Sequence, residues 1–273
     1  MKLSNVNIYP RFHHLLNNKV TEEKKVEEKV FFFHIPKCGG TSIDRAIQST
    51  IKVSERRERE IFHLDAAAAL RTSNVWAEAP LDLTRKFLYY CMASQRYRYI
   101  SGHFAYSEKA MQDFGHDWKF VTLLRDPVSK WFSQYFYNRY KQNDHYKISC
   151  DLETFLKSDE AVHLGRNYIF LLVEGITKAE ASSEAAIAQS IANLEKFSLV
   201  GVLEKMDLFS RSFENQFGVQ LEIEQRNKNP LSKQHQLQQI TDDMRQRVVE
   251  LCQPNQQVYE AALKMAIAVR QSA

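Results

Sequence analysis

The sequence predicts an α/β domain in three layers, with a mostly parallel central sheet between two layers of helices. Two observations carry this. Short, nearly continuous apolar runs of the kind buried in parallel sheets alternate with longer stretches of three- and four-residue periodicity. Two of those runs also end in an abrupt switch from strand to helix, one at residues 36–40 and one at residues 125–127. Sheets of this class bind ligands beyond the carboxyl ends of their strands, so the two switches are where function is expected.

The elements follow in chain order. Residues 1–29 are polar and end in the charge-mixed segment 21–29, which reads as an N-terminal arm, either a solvated helix or a loose stretch. Residues 30–35 read as the first strand. A helix follows from about Thr41, where Ile43, Ala46 and Ile47 share one face. Further strands are expected at 97–101, closing at Gly102 and His103, and at 118–124. Arg125, Asp126 and Pro127 then open a helix, with Asp126 as its cap and Pro127 in its first turn. Its spacing makes Trp131, Phe132, Tyr135, Phe136, Tyr137 and Tyr140 chiefly core, with one or two of the rings open to lining an acceptor pocket. A long helix is expected over 176–197, a buried strand over 199–203 and a helix over 206–217. The tail, 240–269, reads as helical and interrupted at Pro254.

Composition bounds the rest. With 273 residues, 44% hydrophobic and 26% charged, the chain from 30 to 273 fits one domain; its eight glycines and six prolines form no linker. The formal charge of +4 suits an anionic ligand and is too small to argue for nucleic acid. No apolar run approaches the roughly 20 residues of a membrane span, and no signal-peptide core is visible, so a cytoplasmic location is the expectation. Cys38, Cys91, Cys150 and Cys252 have no metal-type spacing and read as reduced thiols.

The first switch reads FFFHIPKCGGTS, residues 31–42. An anion belongs there: the unpaired amides of Gly39, Gly40, Thr41 and Ser42 would point at it, and the helix dipole would add to the attraction. Lys37 supplies a full charge, and the hydroxyls of Thr41 and Ser42 are further donors. The competing reading is a nucleotide phosphotransferase loop. That motif places Lys immediately before Ser or Thr, whereas Lys37 precedes Thr41 by four positions. The plainest alternative is a tight turn at a strand end. At the second switch, Arg125 and Ser133 lie a little over two helical turns apart and can flank one crevice, where the guanidinium fork suits a phosphate. Ser129 lies in the wrong turn for that role.

The segment FFFHIPKCGGTS resembles the 5′-phosphosulfate loop of sulfotransferases that use 3′-phosphoadenosine 5′-phosphosulfate (PAPS). It is most similar to the form found in heparan sulfate 2-O- and 6-O-sulfotransferases and their bacterial relatives. It departs at Cys38, where small polar residues are usual. The resemblance implies a P-loop-like sulfotransferase fold, PAPS as co-substrate, adenosine 3′,5′-bisphosphate (PAP) as product and no metal requirement. It implies that Lys37, Cys38, Gly39, Gly40, Thr41 and Ser42 hold the phosphosulfate and that Arg125 and Ser133 hold the 3′-phosphate. His103, in the segment YISGHFAYS, matches the family's catalytic base, and its ordinary pKa near neutrality suits that role. Arg226 and Lys228 fall where the family has a basic loop closing over the nucleotide; a solvated turn is the other reading.

Gly165, Arg166, Asn167 and Tyr168 read either as acceptor-facing or as a buried helix start. His34 reads as packing beside the loop. The acceptor is expected to be a small molecule. The chain also resembles the cyanobacterial sulfotransferases that modify saxitoxin-type guanidinium alkaloids, which implies a cationic acceptor faced by carboxylates and a place in secondary metabolism. A non-catalytic module binding anions or glycans is the third class; it would keep the basic crevice without Lys37 and His103 acting as a catalytic pair.

Overall fold

The computed structural model describes residues 24–54, 59–224 and 232–268. Its elements are β1 (Lys29–Phe33), α1 (Gly40–Thr50), β2 (Ile61–His63), α2 (Ala66–Trp76), α3 (Pro80–Ala93), β3 (Tyr99–Gly102) and α4 (Glu108–Phe114). Then come β4 (Trp118–Leu124), α5 (Pro127–Tyr140), α6 (Leu152–Phe155), α7 (Asp159–Gly165) and α8 (Asn167–Leu172). The described chain ends with α9 (Glu184–Glu195), β5 (Leu199–Val202), α10 (Met206–Phe217), α11 (Lys233–Gln238) and α12 (Asp242–Ala268). The five strands form one sheet in the order β2-β3-β1-β4-β5, and every pairing is parallel.

Alternation along the strands builds two cores. In β1, Phe31 and Phe33 point to one face while Val30 and Phe32 point to the other. The first face is covered by α3, α4, α8, α9 and α12, through Leu88, Ala110, Ile169, Leu194 and Val258. The second is covered by α1 and α10, through Ile43, Ile47, Phe209 and Phe213. Fully burying each such side chain contributes roughly 1.5–3 kcal/mol. A third cluster joins α5 to α6, α7 and the first half of α12 around Trp131 and Phe136. No helix among the described residues is long and apolar enough to cross a membrane.

The connections explain where a ligand can sit. From β1 the chain crosses toward β2 with α1 on one face; from β4 it crosses the other way to β5 with α9 on the opposite face. The direction reverses between β1 and β4, the place where sheets of this class bind ligands beyond their strand ends.

Several boundaries differ from the sequence expectation. The arm ends before residue 29: Val26 is buried, accepts Lys52 N at 2.9 Å and donates to Thr50 O at 2.8 Å, so this strip already belongs to the fold. Residues 176–183 are not part of a long helix, because Thr177 folds back on Glu180 and Ser183 caps a fresh start at Glu184. Pro254 does not interrupt α12, which runs through it. The lost backbone bond falls at Glu250, whose residue is exposed, while Val248, Cys252, Val258 and Ala262 pack inward and hold the helix in place.

Candidate active site

Four strand ends line up along the carboxyl edge of the sheet. In spatial order they carry His63 after β2, His103 after β3, residues 34–39 after β1 and Arg125 after β4. The loop after β1 is short because it folds over its own strand. Gly39 stands at the N-cap of α1 with φ +76°, and Lys37 also adopts a left-handed conformation, φ +65°. Gly40 lies flat on the His34 imidazole: a Cβ there would come within 2.1 Å of the ring, so only glycine fits. No side chain caps α1, and its first turn holds no acidic residue, which leaves the amides of its first turn facing outward. Thr41 and Ser42 are half-buried in that turn.

Arg125 reaches across the gap between β1 and β4. Its Nη1 donates to Lys37 O at 3.1 Å. Its own backbone is clamped by Tyr168, whose hydroxyl accepts from Arg125 N at 3.1 Å and donates to Arg125 O at 2.5 Å. That hydroxyl also lies 3.7 Å from Cys38 Sγ. On α5, Lys130, Ser133, Gln134 and Tyr137 share one face by their three- and four-residue spacing. Lys37 Nζ rests 3.7 Å from the centre of the Tyr137 ring, and Lys141 Nζ lies 5.8 Å from the same ring. Lys37, Arg125, Lys130 and Lys141 make no ion pair with a carboxylate among the described residues. Burial, with Arg125, Lys130 and Lys141 nearby, pulls the Lys37 ammonium down to about 8.

His103 stands beside the loop. Its Nδ1 sits 2.8 Å from His34 O, a contact in which only the N–H can donate, so this tautomer leaves Nε2 as the proton acceptor. Burial lowers its pKa and favours the neutral ring. One strand further, His63 Nδ1 lies 2.8 Å from Ser101 Oγ and 3.2 Å from Asp44 Oδ2, and Tyr99 donates to Asp44 Oδ1 at 2.6 Å. The Asp44 bond raises the His63 pKa.

His34 has a different fate. Its ring packs against Phe32 and His103 with Nδ1 unpartnered, and burial drives its pKa down to about 3. An imidazole that refuses a proton only when folded makes stability fall as pH drops below its ordinary value of 6.5, and the loss continues toward about 3. The urea midpoint should therefore be lower at pH 5 than at pH 7, and the difference should shrink in His34→Gln. Equal differences in the two proteins would mean that His34 is not held neutral.

The structure thus brings Lys37, Gly39, Gly40, Thr41, Ser42, Arg125 and His103 to one edge of the sheet, and Ser133 shares the face of α5 that carries Tyr137. Cys38 differs from the expected loop side chain. It points under the loop, fully covered, and burial raises its thiol to about 11, so the side chain is inert there and only its backbone can face the ligand side. Arg226 and Lys228 lie outside the described residues. Of the 165–168 segment, Asn167 and Tyr168 buttress the site from below, while Arg166 lines a separate cleft of about 510 Å³ with Arg247 and Glu250 of α12. Sequence reasoning missed Lys130 and the His63–Asp44 pair, and it did not foresee that Tyr168 clamps the Arg125 backbone or that Tyr137 lies under Lys37. A lysine on the apolar face of α5 was the available signal for the first. A scan against models of known protein families finds no match to this chain, and a search of curated proteins finds none either.

Proposed function

We propose that the chain is a PAPS-dependent sulfotransferase acting on a hydroxyl or nitrogen of a small molecule. One observation supports this above the rest: at and beneath the loop, Lys37, Arg125, Lys130 and Lys141 pair with no carboxylate among the described residues, and beside them stands an imidazole whose Nδ1 is committed to a backbone carbonyl. Such an arrangement suits the transfer of an anionic group to a protonated nucleophile. The P-loop-like turn of residues 37–42 receives the 5′-phosphosulfate, and Arg125 with Ser133 receives the 3′-phosphate.

The chemistry is a displacement in line at sulfur. The acceptor oxygen forms a bond to sulfur as the bond from sulfur to the bridging oxygen breaks, and that electron pair stays on the 5′-phosphate. The acceptor proton passes to His103 Nε2. Lys37 leaves the Tyr137 face to meet the bridging oxygen as charge grows there. His63 borders the acceptor side, since the nucleotide groups occupy the β1 and β4 ends and β2 lies beyond β3.

PAP should raise the melting temperature without added metal, because a ligand that binds only the folded state stabilises it by mass action. Arg125→Ala should lose most of that shift. An equal shift in both proteins would remove Arg125 from the 3′-phosphate site, and stabilisation by ATP with magnesium but not by PAP would replace the reading with a phosphotransferase. The acceptor is then sought with PAPS against alcohols, phenols, amines and guanidinium alkaloids, each product read as a gain of one sulfo group.

A further inference from the structure

Lys130 takes no part in the chemistry above, yet it is the most buried lysine among the described residues, with 1% of its surface exposed. Its Nζ donates to Asn167 Oδ1 at 3.1 Å and to Gln134 Oε1 at 3.3 Å, both neutral amides. Arg125, Lys37 and His103 stand toward the crevice, Cys38 comes from the loop, Cys252 from α12 and His163 from α7. The Tyr168 ring lies 5.4 Å away. The nearby carboxylates are engaged elsewhere: Asp126 Oδ1, at the cap of the same helix, accepts from Ser129 N, and Glu204 accepts from Asp126 N and the Tyr259 hydroxyl. An ammonium enclosed by neutral and cationic groups is unfavourable unless an anion comes near, and burial accordingly lowers its pKa.

We propose that Lys130 is the internal charge of the anion site: an oxyanion settling on the amides of residues 39–42 draws a proton from solvent onto its amine. Its charge acts through the loop and needs no contact with the ligand. The proposal rests on the reading of that loop as an oxyanion site, and it is indifferent to which oxyanion binds.

Calorimetric titration of the full chain with PAP near neutral pH, in buffers of different ionisation enthalpy, counts the protons taken up. Wild type should take up about one per PAP bound, and its affinity should weaken as pH rises. Lys130→Met should lose the uptake and bind roughly 10- to 100-fold more weakly, the scale of one charged partner. Lys130→Arg, whose guanidinium stays charged, should keep the affinity and lose the uptake. Lys37, His34 and His103 are other groups beside the loop able to take a proton, so Lys37→Gln, His34→Gln and His103→Gln should each retain the uptake that Lys130 supplies.

Wild type without uptake, uptake unchanged in Lys130→Arg, or wild-type affinity in Lys130→Met would each overturn the proposal. Should Lys130→Met fail to fold, the Arg variant decides alone; if both fail, uptake that persists in the Lys37, His34 and His103 variants upholds the proposal, and its loss in any of them overturns it. If PAP does not bind but pyrophosphate binds with the same Lys130-dependent uptake, the sulfotransferase reading falls and this one stands. If neither anion binds, both fall.

Discussion

His103→Ala should lower turnover by roughly 10²- to 10⁴-fold, the usual cost of removing a positioned base, while PAP still binds. The tether from its Nδ1 to His34 O fixes the tautomer in which Nε2 is free of a proton and able to accept one. The pH profile carries the sharper signature. A base works when deprotonated, so the rate rises with pH through its pKa and levels off above. Burial lowers the His103 pKa from its ordinary 6.5, which moves that rise toward acid. In His103→Ala the acid limb should disappear. Near wild-type turnover on a hydroxyl acceptor, or an acid limb that survives the substitution, would pass the role to another group, with His63 the next candidate on the same edge.

Lys37→Ala should cost roughly 10²- to 10³-fold in kcat, the scale of losing one group aimed at a developing oxyanion, with a small change in KM for PAPS. This group must be protonated, so wild-type activity should also decline as pH rises through about 8. Its backbone offers a control. A lysine at φ +65° costs about 1–2 kcal/mol that glycine does not. Lys37→Gly should therefore lose as much turnover as Lys37→Ala and melt at a higher temperature than the alanine variant. If kcat stays near wild type in both, Lys37 has no part in the transfer step.

How much of this the chain announces depends on sequence distance. The turn after β1 and the opening of α5 are written locally, in glycines, a proline and a capping aspartate, and they stand where the pattern puts them. β2 spans only Ile61–His63, too short to leave a periodic trace. The start of α9 was misread because the helical pattern of 176–183 carries no Gly or Pro beyond Gly175, while the caps that stop it are ordinary Thr and Ser side chains. Lys130 meets Asn167 across 37 residues and Tyr168 meets Arg125 across 43. Contacts of that reach leave no signature in a single sequence, so the groups on the crevice surface were legible and those beneath it were not. The structure adds the tether on His103, which the motif alone could not supply.

The Tyr168 hydroxyl has an effect beyond the bonds it makes. By bridging both backbone groups of Arg125 while lying against Cys38, it fastens the two loops that would grip opposite ends of one ligand into a single rigid body. The entropy lost in fixing their separation is spent when the chain folds, and little of it remains to be lost when a ligand arrives. Binding at one loop should then depend little on first organising the other. Tyr168→Phe, which keeps the ring and removes the bridge, would return that ordering cost to the binding step and weaken both ends together.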